Sequence, residues 1–404
     1  MKIIIFTENY RGGGMDTFIA SLIKNWSNKD EFVVICNHNH PGLGYLKTIL
    51  SKDVELVSHS LPLNWSFLSD TIKYLPSLLQ RVTRQILRVI LSPYQYICIK
   101  KLLDAHKADQ LISVNGGYPG GETCRLANIA FYALYKKRSI HNFHNYAVKN
   151  RLIFAPYELL IDSKLDSSCS EIISVSRDCA NSIKERYIFK NSKKISFIYN
   201  SLYTNPSKNI KSSVKEKYKI ANNEKIVLMI GTFEERKGHR YLMNAMTKVF
   251  EINSNLHLFL LGSGTKEETL NLELLISRYR WSHRVHLTGF VEDISQYMSI
   301  ADILVIPSQE NESFGLTAIE AMSYGIPIVS TNIGGLPETI GENGGCGFYT
   351  SIDDINGFSD NIINLINDES LAKKMSQNGL NRANEIYSPS RMAKQYMSLL
   401  SPDK

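Results

Sequence analysis

The sequence predicts an α/β protein made of two parallel sheets, each covered by helices. Three observations carry that prediction. Short apolar runs alternate with amphipathic segments, the pattern of strands joined by helical crossovers. The alternation occurs twice, before and after a polar stretch between Tyr199 and Asn223. The 404 residues also exceed one typical domain, and two or three are expected at that length.

In the first series the predicted strands are Ile3–Phe6, Phe32–Cys36, Val54–Val57, Gln110–Val114, Arg138–Phe143 and Glu171–Val175. Amphipathic segments such as Thr17–Trp26 and Thr123–Tyr135 lie between them. Asn200, Asn205, Pro206, Ser207, Asn209, Ser212 and Ser213 then cluster as linker residues. The second series runs through Ile226–Ile230, His257–Leu261, Val285–Leu287, Ile303–Ile306 and Ile326–Val329. Two Rossmann-like domains follow, 1–200 and 201–384, with a closing segment 385–404. That segment holds a helix near Pro389–Leu400 with Met392, Ala393, Tyr396 and Leu399 at helical spacing.

Composition narrows the function. Apolar content of 43% and charged content of 21% are those of a globular protein, and no stretch reaches the ~18 apolar residues of a membrane span. The run Lys2–Phe6 is too short for a signal peptide and turns polar at Thr7-Glu8-Asn9. A cytoplasmic location is expected. Cys36, Cys98, Cys124, Cys169, Cys179 and Cys346 are scattered without a C-x-x-C pair, which points to free thiols rather than disulfides or zinc. A net charge of +7 suits anionic partners without requiring nucleic acid.

The chemistry concentrates between Pro307 and Pro327. Glu312 and Glu320 stand eight positions apart around Phe314-Gly315-Leu316, in a strand–loop–helix–strand unit. The helix N-terminus there offers free N–H groups to a phosphate. Carboxylates on both sides of it suit a ligand with hydroxyls at both ends and phosphate between. Gly231 to Gly238 adds Arg236 and Lys237 at another strand end, a fork and a point charge that suit a diphosphate; an ordinary surface pair is the plain alternative. Arg11-Gly12-Gly13-Gly14 follows the first strand and lets backbone amides approach a ligand, or is a simple turn.

His141 and His144 flank Asn142-Phe143 at a strand end. Their spacing opposes a shared metal, because residues three apart on a strand face opposite ways. Either could be structural, and one could reach a substrate hydroxyl. Paired carboxylates also suit glycoside hydrolysis, but positive surroundings would lower the pKa of an acid catalyst here. Arg81, Arg84 and Arg88 repeat on a helix that Pro93 is expected to end, with Lys100-Lys101 beyond. Contact with anionic lipid on the inner membrane is one reading of that helix; a solvated basic face is the other.

Together these residues resemble the retaining glycosyltransferases of family four (group 1), continuing through Gly325-Ile326-Pro327 to Gly334-Gly335-Leu336-Pro337-Glu338. The resemblance implies the GT-B fold, with two Rossmann-like domains facing across a cleft and the C-terminal helix crossing back to the first. It implies that Glu320 holds the donor ribose, Glu312 the sugar hydroxyls, and Arg236 and Lys237 the diphosphate. Amides at Ser313, Phe314, Gly315 and Leu316 join them, Gly13 and Gly14 cover the phosphates, and His144 reaches the sugar. Glu312, His144, Lys237 and Arg236 are thereby the expected catalytic group. Thr232 departs from the pattern, since many members carry arginine there.

The expected reaction moves a hexose, with retention, from a nucleotide-diphosphate sugar to a glycan or polyprenyl-diphosphate-linked acceptor of a bacterial surface polysaccharide. UDP is favoured over GDP-mannose, and with no D-x-D in the chain neither metal nor cofactor is expected. A nucleotide-sugar epimerase and a non-catalytic sugar-nucleotide-binding partner are the alternatives.

Overall fold

A computed structural model describes residues 1–10, 14–202 and 213–400. They form two compact units, Met1–Tyr203 with Pro389–Lys404 and Thr204–Ser388. Most of the expected linker residues, 203–212, lie outside the described residues.

The first unit is a parallel sheet of β1 (Lys2–Thr7), β2 (Glu31–Asn37), β3 (Glu55–His59), β4 (Gln110–Tyr118), β5 (Ser139–Ala147), β6 (Cys169–Ser174) and β7 (Ile195–Phe197). Its order is β3-β2-β1-β4-β5-β6-β7. The central strands are apolar on both faces, as a sheet covered on both sides requires. One face packs against α1 (Gly14–Lys24), α2 (Leu43–Ile49) and the last helix of the chain. The other packs against α4 (Ser77–His106), α5 (Glu122–Tyr135) and α6 (Ala155–Ser168). Two short helices, α3 (Ser69–Ile72) and α7 (Arg177–Ser182), complete the unit.

Three expectations needed correction. Pro93 does not end its helix: α4 runs for 30 residues straight through it. Buried Ser92, Gln95, Ile99 and Leu103 hold the downstream half on α5 and the sheet, and this packing outweighs the ~3 kcal/mol cost of an interior proline. Arg88 does not belong to a solvated or lipid-facing surface, because it is buried and paired with Glu122. The strand foreseen at Ile326–Val329 begins at Ile328 and ends at Thr331, since Ile326 still donates to Ala321 in the preceding helix turn and Pro327 has no N–H to give.

The second unit opens on a short α8 (Val214–Lys217), and its sheet comprises β8 (Lys225–Ile230), β9 (Leu256–Leu261), β10 (Val285–Gly289), β11 (Ile303–Ile306), β12 (Ile328–Thr331) and β13 (Gly347–Thr350). The order is β10-β9-β8-β11-β12-β13, again parallel. Around it lie α9 (His239–Ile252), α10 (Lys266–Ser277), α11 (Ser295–Met298), α12 (Leu316–Ser323), α13 (Leu336–Ile340), α14 (Ile355–Asn367) and α15 (Glu369–Ile386). Phe250, Trp281, Phe358 and Met375 anchor a core that spans β8, β9 and β11.

The closing helix, α16 (Pro389–Leu400), belongs to the first unit. It buries Met392, Ala393, Tyr396 and Leu400 beside α1, and Asn142 of β5 donates to the Tyr396 hydroxyl at 2.7 Å.

Candidate active site

In each sheet the chain starts in the middle and then winds outward in both directions. The crossovers therefore part at one point, between β1 and β4 in the first unit and between β8 and β11 in the second. Loops at the carboxyl ends of such strands splay apart and leave a crevice. Arg236 and Lys237 after β8, and Glu312 to Gly315 after β11, fall on these loops, while Glu320 lies within α12 and His144 within β5.

In the second unit the loops after β8 and β11 are tied together. Gln309 N–H donates to the Arg236 carbonyl at 2.7 Å. Gly238, at φ +78°, lies so close to Pro307 that a Cβ there would sit 1.8 Å from the Pro307 carbonyl oxygen. Only glycine allows that approach. Lys237 is thereby carried to Glu312, and its Nζ lies 2.6 Å from Oε2. Ser308 Oγ donates to the same oxygen at 3.0 Å. Both side chains of the pair are under one-fifth exposed, so solvent screens it less than a surface pair.

The loop carrying Glu312 is held from behind. Gly335 N–H donates to the Glu312 carbonyl at 2.8 Å, and the Thr339 hydroxyl to the Phe314 carbonyl. Phe314 is buried, with its ring against Tyr387. Gly315 caps α12 at φ +92°, where a Cβ would meet Leu336 at 2.6 Å. Ser313 and Leu316 flank this turn. Arg236 sits on the same short 3-10 turn as Lys237, and its Nε contacts Glu234 at 2.5 Å.

Glu320 lies one turn into α12. Burial raises its carboxyl to about 7, and among the described residues it has no ion-pair partner. The structure thus joins Lys237 with Glu312, leaves Arg236 on Glu234, and sets Glu320 apart in a drier environment. His239, which the sequence reading missed, is buried at the start of α9 and held neutral: burial and then the Lys237 charge lower it to about 4. Its contiguity with Arg236-Lys237-Gly238 was the available signal.

In the first unit the loops after β1, β4 and β5 surround a cavity of about 1220 Å³. Gly14 and His144 line it; Gly13 lies outside the described residues. His144 packs edge-on against Phe18, and burial lowers it to about 3, so its ring is neutral. Its Nε2 is buried without a partner. His141 is structural: its Nδ1 meets Ser113 Oγ at 2.7 Å deep in the sheet. Glu8, Trp65 and Arg151 also line the cavity and were not foreseen. Glu8 accepts from Thr123 N–H (2.9 Å), Thr123 Oγ1 (2.6 Å) and Trp65 Nε1 (2.8 Å); nothing in sequence spacing links these three.

Residues 211–382 match the family model described as glycosyl transferases group 1. Through residues 211–382 the second unit is similar to the group 1 glycosyl transferases. The matched stretch contains Arg236, Lys237, Glu312 and Glu320, while Gly14 and His144 lie outside it.

The chain is 28% identical over 175 residues to N-acetyl-alpha-D-glucosaminyl L-malate synthase of Bacillus anthracis, covering 43% of the chain and 44% of the relative. It is 30% identical over 176 residues to the lipopolysaccharide core biosynthesis glycosyltransferase LpsE of Rhizobium meliloti (strain 1021), covering 44% and 49%. The chain thus spans about half the length of the curated relatives it matches. Among solved structures, Anabaena Alr3699/HepE in complex with UDP aligns with a TM-score of 0.74 at 19% identity, over 99% of each chain. That likeness shows the fold, which is GT-B. Among the described residues no helix is long and apolar enough to cross a membrane.

Proposed function

We propose that the protein transfers a hexose, with retained anomeric configuration, from a nucleotide-diphosphate sugar, UDP being favoured, to a hydroxyl of a glycan or lipid-linked acceptor in surface polysaccharide synthesis. The single observation that carries this reading is the Lys237–Glu312 pair, held at the β8/β11 crevice by Gly238 and Gln309. The match of residues 211–382 to the group 1 glycosyl transferases supports the reaction class, the LpsE likeness supports the polysaccharide setting, and the HepE complex supports UDP.

A diphosphate entering this crevice offers Lys237 a stronger partner than one carboxylate and frees Glu312 to accept from sugar hydroxyls. Arg236 can exchange Glu234 for the same diphosphate. Glu320 takes the ribose hydroxyls, and the amides from Ser313 to Leu316 face the phosphates. In the first unit, neutral His144 supplies a hydrogen bond to a substrate hydroxyl, and Gly13-Gly14 permit close backbone approach to phosphate. As the bond from the anomeric carbon to the phosphate oxygen breaks, charge grows on the diphosphate and is stabilised by fixed cations and amides. The acceptor oxygen bonds to the same face, and its proton passes to the departing phosphate oxygen. Cationic side chains neutralise the diphosphate in this scheme.

Thermal-shift screening against UDP-, GDP- and ADP-sugars identifies the donor, and product configuration by NMR tests retention. Lys237→Ala should lower turnover by about 10²–10³ with little change in thermal midpoint. An equal loss of stability, or an inverted product, would overturn the mechanism. Isomerised sugar from donor alone would indicate an epimerase instead.

A further inference from the structure

The helix that holds the Glu312 loop from behind is too short to keep its own place. α13 has five residues, and a helix of that length is not stable alone. Leu336 and Ile340 fix its inner side by complete burial. Its carbonyls at Glu338 and Thr339 lie in the last turn, where a helix supplies no backbone donor. Arg382 of α15 and Tyr387, the residue that caps α15, supply donors instead. Arg382 Nε donates to the Thr339 carbonyl at 2.9 Å, and its Nη2 to the Glu338 carbonyl at 2.7 Å. The Tyr387 hydroxyl donates to the Thr339 carbonyl at 2.8 Å. A cation suits this position, the negative end of the helix dipole. Gly341, at φ +89°, makes room for it: a Cβ there would lie 2.9 Å from Arg382 Cζ.

From α13 the restraint reaches the Glu312 loop at several points. The Gly335 N–H holds the Glu312 carbonyl, the Thr339 hydroxyl holds the Phe314 carbonyl, and Leu336 closes on Gly315. The buried Tyr387 ring adds a direct contact, its centroid 5.7 Å from that of Phe314. Tyr387 thus grips the loop twice, by its ring on Phe314 and by its hydroxyl on α13. It also stands where the second unit ends, because at Pro389 the chain passes into α16 of the first unit.

We propose that Arg382 and Tyr387 are positioning residues for Glu312, and that a ligand seated on Glu312 in turn orders the segment 382–388, by which the chain leaves the second unit. Both side chains act at one remove. They fix α13, and through it the carboxylate that accepts from sugar hydroxyls in the donor reading, on which this inference rests. Coupling between two places in a protein is equal in both directions. What Tyr387 does for the loop, the occupant of the loop does for Tyr387.

Hydrogen exchange on the full chain without ligand tests the positioning directly. Tyr387→Phe keeps the ring and loses the hydroxyl, and Arg382→Lys keeps the charge and loses the fork. Each should speed exchange at 312–316 and at the Gly335 amide by about tenfold. Strands β9 and β10, at the far edge of the sheet, should keep their protection. Tyr387→Leu, which loses both grips, should speed exchange further. Calorimetry with UDP and UDP-glucose reads the consequence for binding. The ratio of UDP-glucose affinity to UDP affinity should fall about tenfold in both milder variants, while UDP affinity itself is kept by Lys237 and Glu320. UDP-glucose should slow exchange at 382–388 in the wild type but not in Glu312→Ala. The inference is overturned if the variants lower the thermal midpoint while exchange at 312–316 and the affinity ratio stay as in the wild type, the pattern of a purely structural role. Equal weakening of both nucleotides would overturn it too. If the wild type binds neither nucleotide, the donor reading falls separately, and the ligand-free exchange alone decides whether the two residues position the loop.

Discussion

Glu320 is the residue whose ionisation the fold changes most usefully. Burial holds its carboxyl at about 7 against an ordinary 4.5. The folded chain therefore binds this proton between pH about 4.5 and 7 while the unfolded chain does not. By linkage, stability from this group is complete below pH about 4.5, declines as pH rises, and stays reduced above about 7. Glu320→Gln should consequently stabilise the protein at pH 8, by about 1–2 kcal/mol after allowing for partial exposure, and by almost nothing at pH 4.5. Urea unfolding at the two pH values checks this; equal effects at both would contradict it. Ribose hydroxyls donate to the carboxylate form, so the wild-type protein should gain UDP affinity relative to the glutamine variant from pH 6 to pH 8. The sequence located this residue but could not reveal its environment. Eight-residue spacing places Glu320 in the helix, whereas its desolvation depends on neighbours from distant segments.

At the scale of elements, what the sequence revealed depended on how deeply each element is buried. Strands such as Ile3–Phe6 and Ile303–Ile306 were legible because a two-face-buried strand is apolar throughout. β7 and β13 escaped notice because they are short edge strands with mostly half-exposed residues. The loops at the β8/β11 crevice showed in Gly238 and Gly315, but their mutual tie through Gln309 and Pro307 did not. The error at Pro93 has the same origin: a local rule met long-range packing. Pro93 is exposed on α4 while its neighbours Ser92 and Gln95 are buried. Substituting Pro93→Ala removes little contact and restores an N–H to the helix ladder. It should raise stability by about 1–3 kcal/mol, read as a higher denaturant midpoint with an unchanged m-value. A fall in the midpoint would mean that the proline sets a bend which α5 requires. Gly238→Ala should act oppositely, losing both stability and nucleotide affinity because its Cβ collides with the Pro307 carbonyl.

At the scale of the molecule, the chain returns at its end to complete the core it began. α16 supplies Met392, Ala393, Tyr396 and Leu400 to a cluster that includes Ile3, Phe18 and Ile140. Its helical spacing was readable in the sequence; its docking surface was suggested only by the family resemblance, because amphipathicity names no partner. Tyr396 makes the dependence testable. Its ring is fully buried, 5.6 Å from Phe18, and its hydroxyl accepts from Asn142 Nδ2. Tyr396→Phe removes that acceptor and strands a buried amide, at a cost of about 1–3 kcal/mol. Tyr396→Ala also opens a cavity beside α1, and should cost about 3–5 kcal/mol. Hydrogen exchange resolves where the loss falls: amides of α1 and β5 should lose protection in the order wild type, Tyr396→Phe, Tyr396→Ala. Amides of β8 and β11, in the other unit, should keep theirs. Loss of protection spread evenly over both units would show that they unfold as one, and that α16 stabilises both units rather than the first alone.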